Sequence, residues 1–193
     1  MAIYYPEHNL VFIHIPKNAG TSVKLWSHAH SPTSINILEK HEHFGRTYNQ
    51  LVLSSYNVKD LKSFIIIRNP WDRMVSCWAF YLKRGMIELN TTFEDFVKRK
   101  AKLKPGVGEH HRGWGAVETQ QYRFNMIPDI VLRFENLTED FKIIQDILGC
   151  HVPLEKSNIS SHIRYREYYH KQLLIDIVAD HFVIDIQRYG YTF

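Results

Sequence analysis

Strand and helix signals alternate along this chain, and the alternation predicts a three-layer α/β domain with a central, mainly parallel sheet flanked by helices. Three observations carry that expectation. Solid apolar runs such as Phe64-Ile65-Ile66-Ile67 suit strands buried on both faces, the pattern of parallel sheets. Apolar residues recur with helical spacing elsewhere, most clearly at Leu173, Leu174, Ile177, Val178, Phe182 and Ile186. The first apolar run feeds a short loop of small and polar residues, followed at once by a helix-compatible segment.

Taken in order, the run over 10–15 reads as the first strand, and 21–29 and 46–54 as helices. A second strand is expected over 63–67. The helix over 71–84 has Pro70 at its start, where a missing N–H costs little. Helices follow over 92–101 and 115–125, then a third strand over 130–134. The helix over 138–148 is closed by Gly149, which suits the left-handed position after a helix end. A long helix over 168–187 completes the series. At 193 residues with 45% hydrophobic content, the chain can fill one core, so a single domain over 1–193 is expected.

Composition narrows the function. A net charge of +4 and a pI near 9.0 suit a protein that binds a small polyanion. No basic block dominates, so nucleic acid is not expected as a partner. The densest cluster, Lys98-Arg99-Lys100 with Lys102 and Lys104, reads as a solvated helix end. Two cysteines are too few for a disulfide framework. Cys77, among Val75, Trp78 and Phe80, reads as a buried free thiol, and Cys150 as structural. No signal-type N-terminus is present, and the apolar stretches fall short of the roughly 20 residues of a membrane span. The expectation is a cytoplasmic protein with no membrane span. No feature of the sequence sets an oligomeric state.

Two segments carry chemistry. In Phe12-Ile13-His14-Ile15-Pro16-Lys17-Asn18-Ala19-Gly20-Thr21-Ser22, a strand passes through a loop bearing one lysine, one glycine and two hydroxyls into a helix. Such a junction holds phosphate-like anions, because backbone N–H groups and the helix dipole converge on the ligand. It is not a Walker A loop, in which the lysine follows the glycine; here it precedes it by three residues. In Ile67-Arg68-Asn69-Pro70-Trp71-Asp72-Arg73-Met74-Val75-Ser76, Arg68 leaves a strand end and Ser76 lies about two turns into the next helix. An arginine fork with a hydroxyl can clamp a terminal phosphate. An arginine that caps its own strand and a serine that only packs are the alternative. Ligands on open α/β sheets sit at the carboxyl ends of strands, so Lys17 and Arg68 are expected at one crevice.

With both segments in view, the chain resembles the 3′-phosphoadenosine-5′-phosphosulfate (PAPS)-dependent sulfotransferases, in particular the branch holding the carbohydrate sulfotransferases and their small soluble relatives. The first segment matches the family's 5′-phosphosulfate loop and the second its 3′-phosphate motif. Leu132-Arg133-Phe134-Glu135-Asn136-Leu137 and the tail from Tyr165-Arg166-Glu167-Tyr168-Tyr169 to Tyr189-Gly190-Tyr191-Thr192-Phe193 are similar in turn, all in family order.

The resemblance implies a P-loop-like fold and a sulfuryl donor, PAPS, used without a required metal. It assigns the 5′-phosphate to the amides of Asn18, Ala19, Gly20, Thr21 and Ser22 and to the Thr21 and Ser22 hydroxyls. It assigns the 3′-phosphate to Arg68 and Ser76, with Arg164 and Arg166 as further basic residues near it. Lys17 is implied at the oxygen that bridges phosphorus and sulfur. The acceptor is expected to be a hydroxyl of a small molecule or glycan, most simply a carbohydrate.

An acceptor hydroxyl needs a base, and histidine suits that task at neutral pH. With 12 histidines, counting selects none. The carbohydrate branch places its base soon after the first helix, which points to His41-Glu42-His43, with His43 favoured over His41 and Glu42 as a substitute. The stretch 102–112, followed by Trp114 and Gln121, reads as a loop that could border the acceptor or simply lie at the surface. The histidine spacings match no standard zinc pattern, so no metal is expected. Two other readings stay open: a P-loop-type nucleotide kinase or NTPase, and a non-catalytic nucleotide-binding relative.

Overall fold

The computed structural model describes residues 1–38, 44–101, 120, 127–155 and 164–193. The fold is α/β, with a mixed five-stranded sheet flanked by helices. Two compact units divide the chain: Met1–Ile67 with Tyr122–Asn158, and Arg68–Gln121 with Ile159–Phe193.

The first unit holds the whole sheet. Its strands are β1 (Ala2–Tyr5), β2 (Leu10–Ile13), β3 (Ile35–Leu38), β4 (Lys62–Ile67) and β5 (Ile130–Arg133), in the spatial order β3-β1-β2-β4-β5. β2, β4 and β5 pair in parallel, as the apolar runs predict; Phe12 stands opposite Phe64, and Ile66 opposite Leu132. β1 runs antiparallel to both its neighbours, which makes the sheet mixed. The sequence reading had no strand at β1 or β3. β1 forms a hairpin with β2 through a 3-10 turn over Pro6–His8, closed by Asn9 at φ 44°. Pro6 favours that turn and Asn9 tolerates the left-handed backbone, so the local chemistry agrees with the hairpin.

Both faces of β4 are covered: Phe64, Ile65, Ile66 and Ile67 are all buried. One face packs against α1 (Gly20–His30) through Val23 and Trp26, and against Phe141 and Ile144. Ile144 belongs to α6 (Lys142–Leu148), which follows a short α5 (Leu137–Asp140). The single helix expected over 138–148 is therefore two, joined at Phe141. Gly149 ends α6 at φ 65°, as expected. A buried polar pair also ties β1 to α1. Ser27 Oγ donates to the Val23 carbonyl (2.8 Å), so the Tyr5 hydroxyl donates to Ser27 Oγ (2.6 Å). Burial pushes the Tyr5 hydroxyl pKa up, which keeps it a donor. α2 (Phe44–Leu53) also belongs to this unit.

The second unit is helical. α3 (Pro70–Lys83), α4 (Phe93–Ala101), α7 (Gln172–His181) and α8 (Val183–Tyr189) bury Met74, Val75, Phe96, Val97, Leu174, Val178 and Phe182. Cys77 is a buried free thiol. The long helix expected over 168–187 starts later, at Gln172, and is interrupted once. A 3-10 turn occupies Tyr165–Tyr168, and the helix bends at Phe182, whose φ of −109° leaves the helical region. The buried Phe182 ring lies 5.7 Å from the Arg73 guanidinium carbon, and packing there outweighs helix continuity. Among the described residues, no helix is long and apolar enough to cross a membrane.

Candidate functional site

The loop after β2 is built on strain and one brace. Lys17 (φ 71°) and Ala19 (φ 59°) both adopt left-handed backbone, which costs a non-glycine residue on the order of 1–2 kcal/mol. Asn18, between them, is fully buried. Its Nδ2 donates to the Ile66 carbonyl at 2.7 Å, and its own N–H donates to the Ile15 carbonyl at 3.2 Å. β2 stops pairing with β4 beyond Phe12, and the Asn18 carboxamide supplies the next bond to β4. Asn18 therefore holds the loop in its strained form, and its main-chain N–H is engaged within the loop.

Ala19 is the N-cap of α1, with no side-chain cap, and the first helical bond runs from the Val23 N–H to the Ala19 carbonyl (3.2 Å). The amides of Gly20, Thr21 and Ser22 precede that bond and form the N-terminal donors of the helix. Ser22 is buried, Thr21 is exposed, and Lys17 is half-buried. Gly20 is required by close approach: a β-carbon there would overlap the His14 imidazole, which packs over the first turn of α1. His14, the residue after β2, and the helix residue Gly20 are thus in close approach across the loop.

In the second unit, the turn into α3 is built on caps and ion pairing. Asn69 caps α3, its Oδ1 accepting from the N–H groups of Trp71 (3.0 Å) and Asp72 (3.3 Å). Pro70 occupies the first helical position, as the sequence suggests. Asn69 Nδ2 donates to the Thr192 carbonyl (3.0 Å), so both ends of the carboxamide are anchored. Trp71 is fixed through its indole N–H to the Ile175 carbonyl (3.1 Å) and through its own carbonyl, which accepts from the Tyr169 hydroxyl (3.0 Å). Burial, and then the nearby Asp72 charge, raise the Tyr169 pKa well above the ordinary value, so it remains a donor.

Arg68 is buried, with 5% of its surface exposed, and its Nε donates to Asp72 Oδ2 at 2.7 Å. Asp72 and Ser76, four residues apart in α3, share one side of the helix, and Arg68, just before the cap, reaches Asp72 through their ion pair. Ser76 is buried. Asp72 pairs with Arg68, and Arg73 is fully buried beside Phe182. The main chain of Arg68 is also held, its N–H donating to Gln120 Oε1 (2.8 Å) and its carbonyl accepting from Gln120 Nε2 (3.0 Å).

Arg164 and Arg166 are exposed. The Arg166 guanidinium carbon lies 5.4 Å from the Phe193 ring centre and 5.8 Å from that of Tyr165, so it stacks on aromatic faces. Lys98 pairs with Glu94 (2.6 Å), as befits a solvated helix end. His41, Glu42 and His43 lie outside the described residues, as do the 102–112 stretch, Trp114, Gln121 and the polar run 157–163 up to Ile163.

Three contributors escaped the sequence reading. Asp72 had a local signal, its position four residues after Arg68 at a helix start. Gln120 and Asp185 had none, since they reach Arg68 only through the folded chain.

These are groups of the kind that bind anions: a lysine, helix N-terminal amides, and an arginine whose Nε is paired to a carboxylate. No curated protein and no solved structure matches the chain. The family model described as the sulfotransferase family matches residues 1–192. That match spans almost the entire sequence, and the chain belongs to the sulfotransferase family.

Proposed function

We propose that this protein transfers a sulfuryl group from PAPS to a hydroxyl of an acceptor, most simply a carbohydrate, in the cytoplasm. The observation that carries the reading is the left-handed backbone at Lys17 and Ala19, held by the buried Asn18 immediately before the first turn of α1. Strain concentrated on so few residues is a feature of ligand-binding loops.

The donor set fits an anionic nucleotide. The amides of Ala19, Gly20, Thr21 and Ser22, with the Thr21 and Ser22 hydroxyls, would hold the 5′-phosphate; Asn18 braces them. Arg68 and Ser76 would hold the 3′-phosphate. Arg164 and Arg166 would add positive charge nearby, with Arg166 kept in place by Phe193 and Tyr165. When bound, PAPS supplies a sulfuryl group on an activated phosphosulfate bridge. Lys17 supplies a fixed positive charge for the negative charge that develops on the departing phosphate, an interaction stronger in the transition state than in the ground state. A sulfuryl group carries less charge than a phosphoryl group, so a lysine can serve where kinases use magnesium. His43, with His41 as the second candidate, takes the proton of the acceptor hydroxyl.

A thermal-shift comparison tests the reading. Adenosine 3′,5′-bisphosphate should raise the melting temperature more than ATP–magnesium at equal concentration. The reverse order would support a nucleotide kinase and overturn the proposal. For the base, His43→Ala should lose turnover while His41→Ala retains more of it; full activity in both variants would move the role to Glu42.

A further inference from the structure

β4 ends at Ile67, and the next residue, Arg68, has its two main-chain polar groups taken up by one side chain. Gln120 Oε1 accepts from the Arg68 N–H at 2.8 Å and Gln120 Nε2 donates to the Arg68 carbonyl at 3.0 Å. The carboxamide thereby reproduces the pair of bonds a neighbouring strand would make. Only one orientation of the amide works, because a flip would set donor against donor and acceptor against acceptor. Gln120 is itself fully buried, and its main-chain N–H donates to Asp185 Oδ2 at 2.7 Å. Asp185, in α8, is also fully buried. The order of support is therefore Asp185, then Gln120, then the Arg68 backbone, while Asp72 orients the Arg68 fork from the other end.

We infer that Gln120, held by Asp185, is a positioning residue that gives this enzyme its discrimination for a nucleotide bearing a 3′-phosphate. The inference rests on the assignment of Arg68 to that phosphate. An arginine contributes to selectivity only if its fork is held ready before the ligand arrives; a mobile backbone would spend part of the binding energy on ordering it. A carboxamide paired to both main-chain polar groups of Arg68 removes that freedom at the base of the side chain.

The test compares affinities for adenosine 3′,5′-bisphosphate and adenosine 5′-phosphate by calorimetry. The parent should prefer the bisphosphate by about 10–100-fold, the range of hydrogen bonds to a charged group. Gln120→Met preserves length and removes both bonds. It should cut the preference about tenfold while affinity for the 5′-phosphate moves by less than about threefold. An equal loss for both nucleotides, or no loss, overturns the inference, since a purely structural role would not separate them. Arg68→Ala is the control. If it keeps the preference, the phosphate assignment itself is wrong; if it loses the preference and Gln120→Met does not, only the role of Gln120 is wrong. Amide hydrogen exchange of the parent covers the case in which Gln120→Met folds poorly. The Arg68 N–H should be strongly protected, and exchange as fast as that of an exposed loop amide would contradict the clamp.

Discussion

The loop after β2 and the turn into α3 each carry groups suited to an anion, and the two are built by opposite means. The loop spends backbone conformation. Lys17 and Ala19 sit at positive φ, α1 starts with no side-chain cap, and the donors on offer are main-chain amides. The turn into α3 spends side chains. Asn69 caps the helix with both N–H bonds, Pro70 presets its first turn, and Arg68 is oriented by Asp72. Backbone amides cannot be removed by mutation, so the loop should be sensitive to shape; the α3 turn should be sensitive to single side chains. Both share one device. A buried carboxamide continues the hydrogen bonding where a strand runs out: Asn18 on the Ile66 carbonyl, Gln120 on Arg68.

The largest expected effect lies in the loop. Lys17→Ala should lower kcat by on the order of 100-fold or more while leaving affinity for adenosine 3′,5′-bisphosphate within a few-fold, because in the proposed mechanism the ammonium acts on charge that develops during transfer. Single-turnover kinetics separates the two, and an unchanged kcat would remove Lys17 from the chemistry. Arg68→Ala should show the converse, a loss of about 10–100-fold in nucleotide affinity with a smaller fall in kcat at saturation. If the two variants gave the same profile, the contrast between a transition-state group and a ground-state clamp would fail.

Shape sensitivity of the loop is next in size. Gly20→Ala places a methyl group against the His14 imidazole and should destabilise by about 1–3 kcal/mol in chemical denaturation, the usual cost of overpacking. His14→Ala should relieve most of that cost when combined with it. Additive losses in the double variant would mean the two residues do not touch. Asn18→Ala leaves the Ile66 carbonyl without its donor and should cost about 1–3 kcal/mol.

The smallest effect is at the surface of the second unit. Glu94 accepts from Lys171 and Lys98, and these partners lower its pKa from the ordinary 4.5 to about 2. A depressed carboxylate stabilises above its unfolded-state pKa and loses that contribution as the pH falls through the folded value. Glu94→Gln should therefore lower Tm slightly at neutral pH, and the gap to the parent should close between about pH 4.5 and about pH 2. A gap that persists at the acid end would assign the effect to packing rather than charge.

What the sequence discloses and what it hides follow from the range of the interactions. β4 was legible because four consecutive apolar residues suit a strand covered on both faces, and the α3 start because Pro70 is a local signal. Gly149 likewise announced the end of α6. β1 was hidden because its four residues precede any pattern long enough to show a period, although Pro6 and Asn9 are sound turn signals in hindsight. The bend at Phe182 was hidden because buried aromatic packing overrode a continuous helical pattern. In the site, Lys17 and Arg68 stood out by motif. The bracing bond of Asn18 was not legible because its partner, Ile66, lies 48 residues away. Gln120 was not legible at all, since a side chain that meets a backbone 52 residues distant leaves no local trace.

The most direct test of sulfuryl transfer follows labelled sulfate from PAPS in the parent protein, offered a set of carbohydrate acceptors with no added magnesium. The account predicts label in ester linkage to an acceptor hydroxyl and stoichiometric release of adenosine 3′,5′-bisphosphate. Label that stays on the nucleotide with every acceptor, alongside transfer of labelled phosphate from ATP–magnesium, would contradict it.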